Sequence, residues 1–190
     1  MKRIGIPLLL SIAALGAYSR SDITLFSDAE ERKGSLTAID VEVAGDVITA
    51  RFDVPDHPAL GYAYTGFQVA LEPAKGMRSI AFEWKKSPEA CDPRQITLRT
   101  REGKRLKLDL APYGTPGAEW KAVRIPFSDF GMGPADLDSL ANVSFTVAGH
   151  NVKDEIARQA GVVTLRALGW SKEEAPSRVV RPDVASLLPK

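Results

Sequence analysis

Few residues in this chain are of a type and spacing that could do chemistry, and none forms a compact catalytic motif. There is no Gly-x-Ser-x-Gly, no Ser-x-x-Lys and no His-Glu-x-x-His. The two histidines, His57 in Asp56-His57-Pro58 and His150 in Gly149-His150-Asn151, both fall in turn-like sequence and read as surface residues. A glycosidase needs two carboxyl groups about 5 to 9.5 Å apart across the scissile bond. Glu83 with Asp109 or Glu119 is the pair to check, but with 24 acidic residues in the chain some such pair arises by chance. No catalytic residue is assigned.

A more informative set combines rings with directional polar groups: Tyr62, Tyr64, Tyr113 and Trp120 together with Gln68, Glu83, Arg99 and Arg124. A sugar presents a C–H face that stacks on an aromatic ring and hydroxyls that bond to amide, carboxylate and guanidinium groups, so these types in one groove would suit a glycan. Alternation orients them. If Phe67 and Val69 face a core, Tyr64 and Gln68 face away; if Ile80 and Phe82 face it, Glu83 faces away and Trp84 is a core residue. Thr97 and Arg99 alternate with Ile96 and Leu98, and Trp120 and Arg124 lie opposite Val123 and Ile125, about 13 Å apart at strand rise. The expectation is a groove across one sheet in which Trp120 or Tyr64 stacks and Gln68, Glu83, Arg99 and Arg124 give direction. The alternative, from a different class, is a protein–protein assembly or scaffold face of a cell-envelope factor, which calls for a contiguous apolar patch rimmed by charge.

The elements that must position these residues are strands. From Leu36 to Trp170 apolar residues recur at every second position: Ile48, Ala50, Phe52, Val54; Phe67, Val69, Leu71; Ile80, Phe82, Trp84; Ile96, Leu98; Leu106, Leu108, Leu110; Val123, Ile125; Val143, Phe145, Val147. Between the runs lie turn-forming stretches such as Ala44-Gly45-Asp46, Pro73 to Gly76 and Glu102-Gly103. Eight or nine short strands without regular crossover helices predict an all-β antiparallel sandwich. Val152 to Gln159 is the one internal helix expected, with a further turn of helix after Gly133-Pro134.

Composition and the first residues bound the function. Met1-Lys2-Arg3 followed by the apolar stretch Ile4 to Ala17 has the form of a secretory signal peptide, with cleavage after Ala17 or Ser19, and is too short for a permanent membrane span. The expected organisation is a signal peptide over 1–19, a β-sandwich domain over 20–171 and an extended tail over 172–190, in a protein that is periplasmic or secreted. The single cysteine, Cys91, allows no internal disulfide. Lys and Arg number 25 against 24 Asp and Glu, which gives nucleic acid no electrostatic footing. The basic stretch Arg99-Thr-Arg-Glu-Gly-Lys-Arg105 contains a turn and reads as a solvated hairpin tip.

Three segments carry a family resemblance: Trp120-Lys-Ala-Val-Arg-Ile-Pro-Phe-Ser-Asp-Phe130, Leu137-Asp-Ser-Leu-Ala-Asn-Val-Ser-Phe145 and Gly161-Val-Val-Thr-Leu-Arg-Ala-Leu-Gly-Trp170. Together they resemble the closing half of a galactose-binding-like jelly roll, most similar to the complex-I-intermediate-associated type and to related β-glucan carbohydrate-binding modules. Phe26 to Glu30 and Gly61 to Phe67 fit the opening half, so the resemblance covers roughly Phe26 to Trp170. It implies a jelly-roll sandwich and noncatalytic polysaccharide binding. Relatives commonly hold a structural calcium through an acidic residue in the last core strand. Arg166 stands at the matching position here, so a calcium site is not expected, and a salt bridge from Arg166 to Asp28, Glu30 or Glu31 is expected in its place.

Overall fold

The computed structural model describes residues 22–27, 38–54, 63–150 and 159–179. They form ten strands: β1 (Ile23–Ser27), β2 (Ala38–Ala44), β3 (Val47–Val54), β4 (Ala63–Ala70), β5 (Ser79–Lys86), β6 (Gln95–Thr100), β7 (Arg105–Asp109), β8 (Lys121–Pro126), β9 (Leu140–His150) and β10 (Gln159–Ser171). The predicted runs became strands, except that Leu71 lies just past β4 and Leu110 opens the 3-10 turn Ala111–Tyr113. The helix Pro134–Ser139 stands where Gly133-Pro134 placed a helical turn: proline fills the first helical position, and the Asp136 carboxylate accepts from the Gly133 N–H at 2.9 Å. The helix expected over Val152 to Gln159 falls on residues outside the description, except that Gln159 already belongs to β10.

Two five-stranded antiparallel sheets pack face to face. The front sheet runs β1-β4-β9-β6-β7 and the back sheet β2-β3-β10-β5-β8. Inward residues meet as alternation requires: Phe145 of β9 stacks on Phe67 of β4 at 5.5 Å and meets the edge of Phe82 of β5 at 5.2 Å, and Phe82 in turn meets Trp84 at 5.4 Å. These four rings, each at most 1% exposed, join the two sheets, and each contributes about 1.5 to 3 kcal/mol by leaving water.

Two backbone devices fix the strand phases. In β10 the register against β5 shifts between Arg166 and Gly169, and the inserted Ala167 adopts φ 50°. This one-residue bulge leaves Arg166 on the outer surface while returning Leu168 and Trp170 to the core, where Trp170 donates to the Glu72 carbonyl at 2.8 Å. At Gly161, φ is 146° and a Cβ would lie 2.3 Å from the Cβ of Ala90, so only glycine permits the strand to pass the β5–β6 connection.

Residues 172–179 run back along the domain without regular secondary structure. Glu173 pairs with Arg124, Glu174 with Arg78, and Val179 packs against the core. The Asp129 carboxylate, 7% exposed, anchors this segment by accepting from the Ser177 hydroxyl and, at 3.0 Å, from the Arg178 N–H. Val180, Leu187 and Leu188 lie outside the described residues.

Candidate functional site

The front sheet turns a polar surface outward. Pairing in register aligns Thr24, Gln68, Ser144, Thr97 and Lys107 in one row across all five strands, about 19 Å long at ordinary strand spacing. A second row, one pleat away, carries Ala70, Asn142, Arg99 and Arg105; a third carries Gly66, Thr146, Gln95 and Asp109. Each of these positions alternates with a buried neighbour: Phe67 and Val69 behind Gln68, Val143 and Phe145 behind Ser144, Ile96 and Leu98 behind Thr97.

Most of this surface's bonding capacity is uncommitted. Ser144 donates to the Gln68 side-chain oxygen at 3.4 Å, a long contact, and the half-buried Arg99 Nε and Asn142 Oδ1 have no partner. A half-buried donor and acceptor side by side without partners is costly unless something else satisfies them. At the third-row end of β6 and β7, Cys91, Asp92, Arg94, Gln95, Asp109 and Thr115 line a cleft of about 550 Å³ that opens beside the same rows. Cys91 offers no reactive thiolate there, because burial raises its pKa and its thiol donates to the Val147 carbonyl at 3.3 Å.

The outer face of the back sheet differs in that several of its charges pair with one another, although Lys85 holds no carboxylate and Arg124 Nε and Nη2 have no hydrogen-bond partner among the described residues. Arg166 donates to Glu83 at 2.6 Å, with its guanidinium 4.2 Å from the centre of the Trp120 ring; the Lys85 ammonium is 4.8 Å from the same ring. Arg51 pairs with Glu42 at 3.1 Å, and Arg124 is taken by Glu173 of the tail.

The expected binding residues therefore do not share one groove. Gln68 and Arg99 lie on the front sheet's outer face, whereas Glu83, Trp120 and Arg124 lie on the back sheet's outer face, with the whole sandwich between. Alternation gave each side chain its correct phase, but it cannot say which sheet a strand joins. Tyr113 belongs to neither face: it is 4% exposed, and its hydroxyl donates to Asp129. The 3-10 turn after β7 swings the ring inward, so it is closed to a ligand. Burial, reinforced by the adjacent Asp129 carboxylate, holds its phenol pKa well above the ordinary value. Tyr62 lies outside the described residues; Tyr64 has its backbone in β4 and its side chain outside the description, as does His150 in β9, and His57 is outside it altogether.

Glu83 and Asp109 project from the outer faces of opposite sheets, with the whole sandwich between them, so they cannot flank one scissile bond. Glu119 is exposed beside Trp120. Arg166 forms a salt bridge with Glu83, its cross-strand neighbour in β5; Asp28, Glu30 and Glu31, the acids expected to meet it, lie outside the described residues. Among the described residues no group of three or more His, Cys, Asp or Glu side chains could hold a metal.

Sequence reasoning did not single out Asn142, Ser144, Gln95, Arg105 or Lys107. Their signal was the outward phase of runs whose inward residues were identified. What made them a site was the neighbour relation of β4, β9 and β6, strands far apart in the chain.

No protein-family model matches the chain, and no curated protein matches it. Among solved structures, the family 11 carbohydrate-binding module of a cellulosomal cellulase of Clostridium thermocellum aligns over 83% of this chain and 92% of its own length, with TM-score 0.53 and 15% identity. The family 11 module from Clostridium thermocellum in complex with a β-1,3-1,4-mixed-linked tetrasaccharide gives 79%, 88%, 0.52 and 17%. A β-1,2-glucanase from Parabacteroides distasonis aligns over 85% of this chain with TM-score 0.59 and 16% identity, but the alignment spans only 24% of the glucanase. At these identities the likeness is one of fold: a two-sheet jelly-roll sandwich of the kind found in carbohydrate-binding modules.

Proposed function

We propose that this protein is an exported, noncatalytic polysaccharide-binding domain whose ligand lies across the outer face of the front sheet. The observation that carries the proposal is the register row Thr24-Gln68-Ser144-Thr97-Lys107, flanked by Arg99 Nε and Asn142 Oδ1 without partners. Hydroxyl, amide and guanidinium groups fixed on rigid strands, with open bonding capacity, match a chain of sugar hydroxyls. The fold's likeness to carbohydrate-binding modules supports the same reading by analogy. The back sheet is less suited in that Glu83, Arg51 and one nitrogen of Arg124 are engaged by other side chains. A protein-assembly role calls for an apolar patch, and no described residue of these three front rows supplies one.

The experiment is a screen of soluble polysaccharides by affinity electrophoresis, followed by calorimetry on any hit with the wild type, Gln68→Ala and Trp120→Ala. The proposal expects Gln68→Ala to weaken binding about fivefold or more, equivalent to the loss of one hydrogen-bonding group, with Trp120→Ala near wild type. If no polysaccharide binds, glycan recognition is wrong. If Trp120→Ala alone abolishes binding, the ligand lies on the back sheet. Export is tested separately: protein recovered from its native host should have lost about seventeen to nineteen residues by intact mass, and recovery of the full-length chain from the cytosol would contradict it.

A further inference from the structure

The geometry points to an acidic glycan, bearing uronate carboxylates or sulfate esters, as the ligand, with its anionic groups seated over β6 and β7. This rests on the front-sheet reading above and specifies the class of sugar. The basic stretch from Arg99 to Arg105 is more than a solvated tip. Arg99 and Arg105 are direct cross-strand partners, and Lys107 follows two residues after Arg105 on the same outward phase, about 7 Å along the strand. Like charges placed directly opposite on one sheet face repel, so this arrangement works against folding unless an anion is supplied.

Other cations of the described surface also lack a carboxylate, Lys85 and Arg94 among them, but none of these stands directly opposite another cation in a strand pair, and six cations are matched. Arg51, Arg78, Lys86, Lys104, Arg124 and Arg166 each hold a carboxylate. Among the described residues Arg99, Arg105 and Lys107 have no such partner. The two carboxylates on this face are poorly placed to neutralise them. Asp109 lies at the rim, where its Oδ1 accepts the Ala111 N–H at 2.9 Å, and Asp22 precedes β1 at the far edge of the sheet and has an interaction of its own. Arg99 is a half-buried residue that pairs with no carboxylate among the described residues, and its Nε, itself buried, has no acceptor there; its guanidinium is the kind of group that a carboxylate or sulfate engages. Arg94, exposed at the cleft mouth beside Gln95, extends the positive surface beyond the row. The neutral groups Gln68, Ser144 and Asn142 next to this basic patch suit sugar hydroxyls, which distinguishes the surface from a site for a bare polyanion.

The test is calorimetry of the protein with polygalacturonate and alginate as uronate probes, a sulfated galactan as the sulfate probe, mixed-linkage β-glucan as the neutral probe and single-stranded DNA as a non-sugar polyanion, each at low and high salt. The expected result is that at least one acidic polysaccharide binds about tenfold or more tightly than the β-glucan, with affinity falling at high salt. Arg99→Gln combined with Lys107→Gln should remove that preference; Lys107→Gln alone, at an exposed position, should reduce it without altering the melting temperature. Equal or tighter binding of the neutral glucan overturns this inference and leaves the glycan proposal standing. Binding of no polysaccharide overturns both. DNA binding as tight as the acidic glycan shows a general polyanion surface and overturns the sugar assignment. Acidic-glycan affinity that survives the double substitution overturns the location.

Discussion

Replacing Asp129 with alanine tests whether the tail is an integral part of the domain. The carboxylate accepts from the Tyr113 hydroxyl, the Ser177 hydroxyl and the Arg178 N–H. Removing it strands the hydroxyl of Tyr113, a residue only 4% exposed, at about 1 to 3 kcal/mol for a buried unsatisfied donor. The bonds to Ser177 and Arg178 tie down a largely exposed segment, so they contribute about 1 kcal/mol each, and the total is about 3 to 5 kcal/mol. At about 2 to 4 °C per kcal/mol for a domain of this size, the melting temperature should fall by about 10 °C. Limited trypsin digestion should also cut faster after Arg178, whose backbone loses its anchor and whose side chain keeps its contacts with the Pro112 carbonyl and the Tyr113 ring. Tyr113→Phe in the Asp129→Ala background should recover part of the loss, because it removes the stranded donor. A melting temperature within about 2 °C of wild type, with unchanged trypsin cleavage, would refute the anchoring role.

Four other outcomes follow from the same structure. Trp120→Ala removes two surface contacts between a cation and the ring, each about 0.5 to 1 kcal/mol, so the melting temperature should drop by only a few degrees; a drop above about 10 °C would mean that the ring is a core element. Gly161→Ala drives a methyl group into Ala90 from a backbone conformation that L-residues avoid, and should cost at least about 3 kcal/mol in a urea titration, whereas a near-neutral result would show that the β5–β6 connection yields. The phenol pKa of Tyr113 is raised by folding, so its contribution is complete below the unfolded value near pH 10 and is lost as pH climbs through the folded value; stability should decline above about pH 10 in the wild type, and less steeply in Tyr113→Phe. Melting in calcium and in chelator should coincide, because the Arg166 guanidinium, paired with Glu83, disfavours a cation beside it, and a large loss on chelation would reveal ligands elsewhere.

How far this site was legible in the sequence depends on which physical rule fixed each part. Period-two alternation located the cores of β3 to β9 and put Gln68, Glu83, Arg99, Trp120 and Arg124 on outward phases, because side-chain direction in a strand is a local property. Sheet membership is not local. β4, β9 and β6 are neighbours through connections that alternation does not encode, so Gln68 and Trp120 looked like one groove although they face opposite ways. Tyr113 was misread for a related reason: its loop position suggested exposure, but the buried Asp129, sixteen residues on, draws its hydroxyl inward. Arg166 illustrates the remaining limit, since its pairing with the cross-strand neighbour Glu83 depends on the β5–β10 register, which alternation does not encode. The two-residue phase of Arg99, Arg105 and Lys107 was in the sequence throughout; the absence of carboxylates opposite them became visible only with the pairing.

The central claim is that a glycan lies across the front sheet. The most direct measurement is amide hydrogen exchange with and without a polysaccharide identified in the screen, read strand by strand. The account predicts added protection in β4, β9, β6 and β7, centred on Gln68, Ser144 and Thr97, with exchange in β8 and β10 unchanged. Protection centred on β8 around Trp120, with the front strands unaffected, would contradict it.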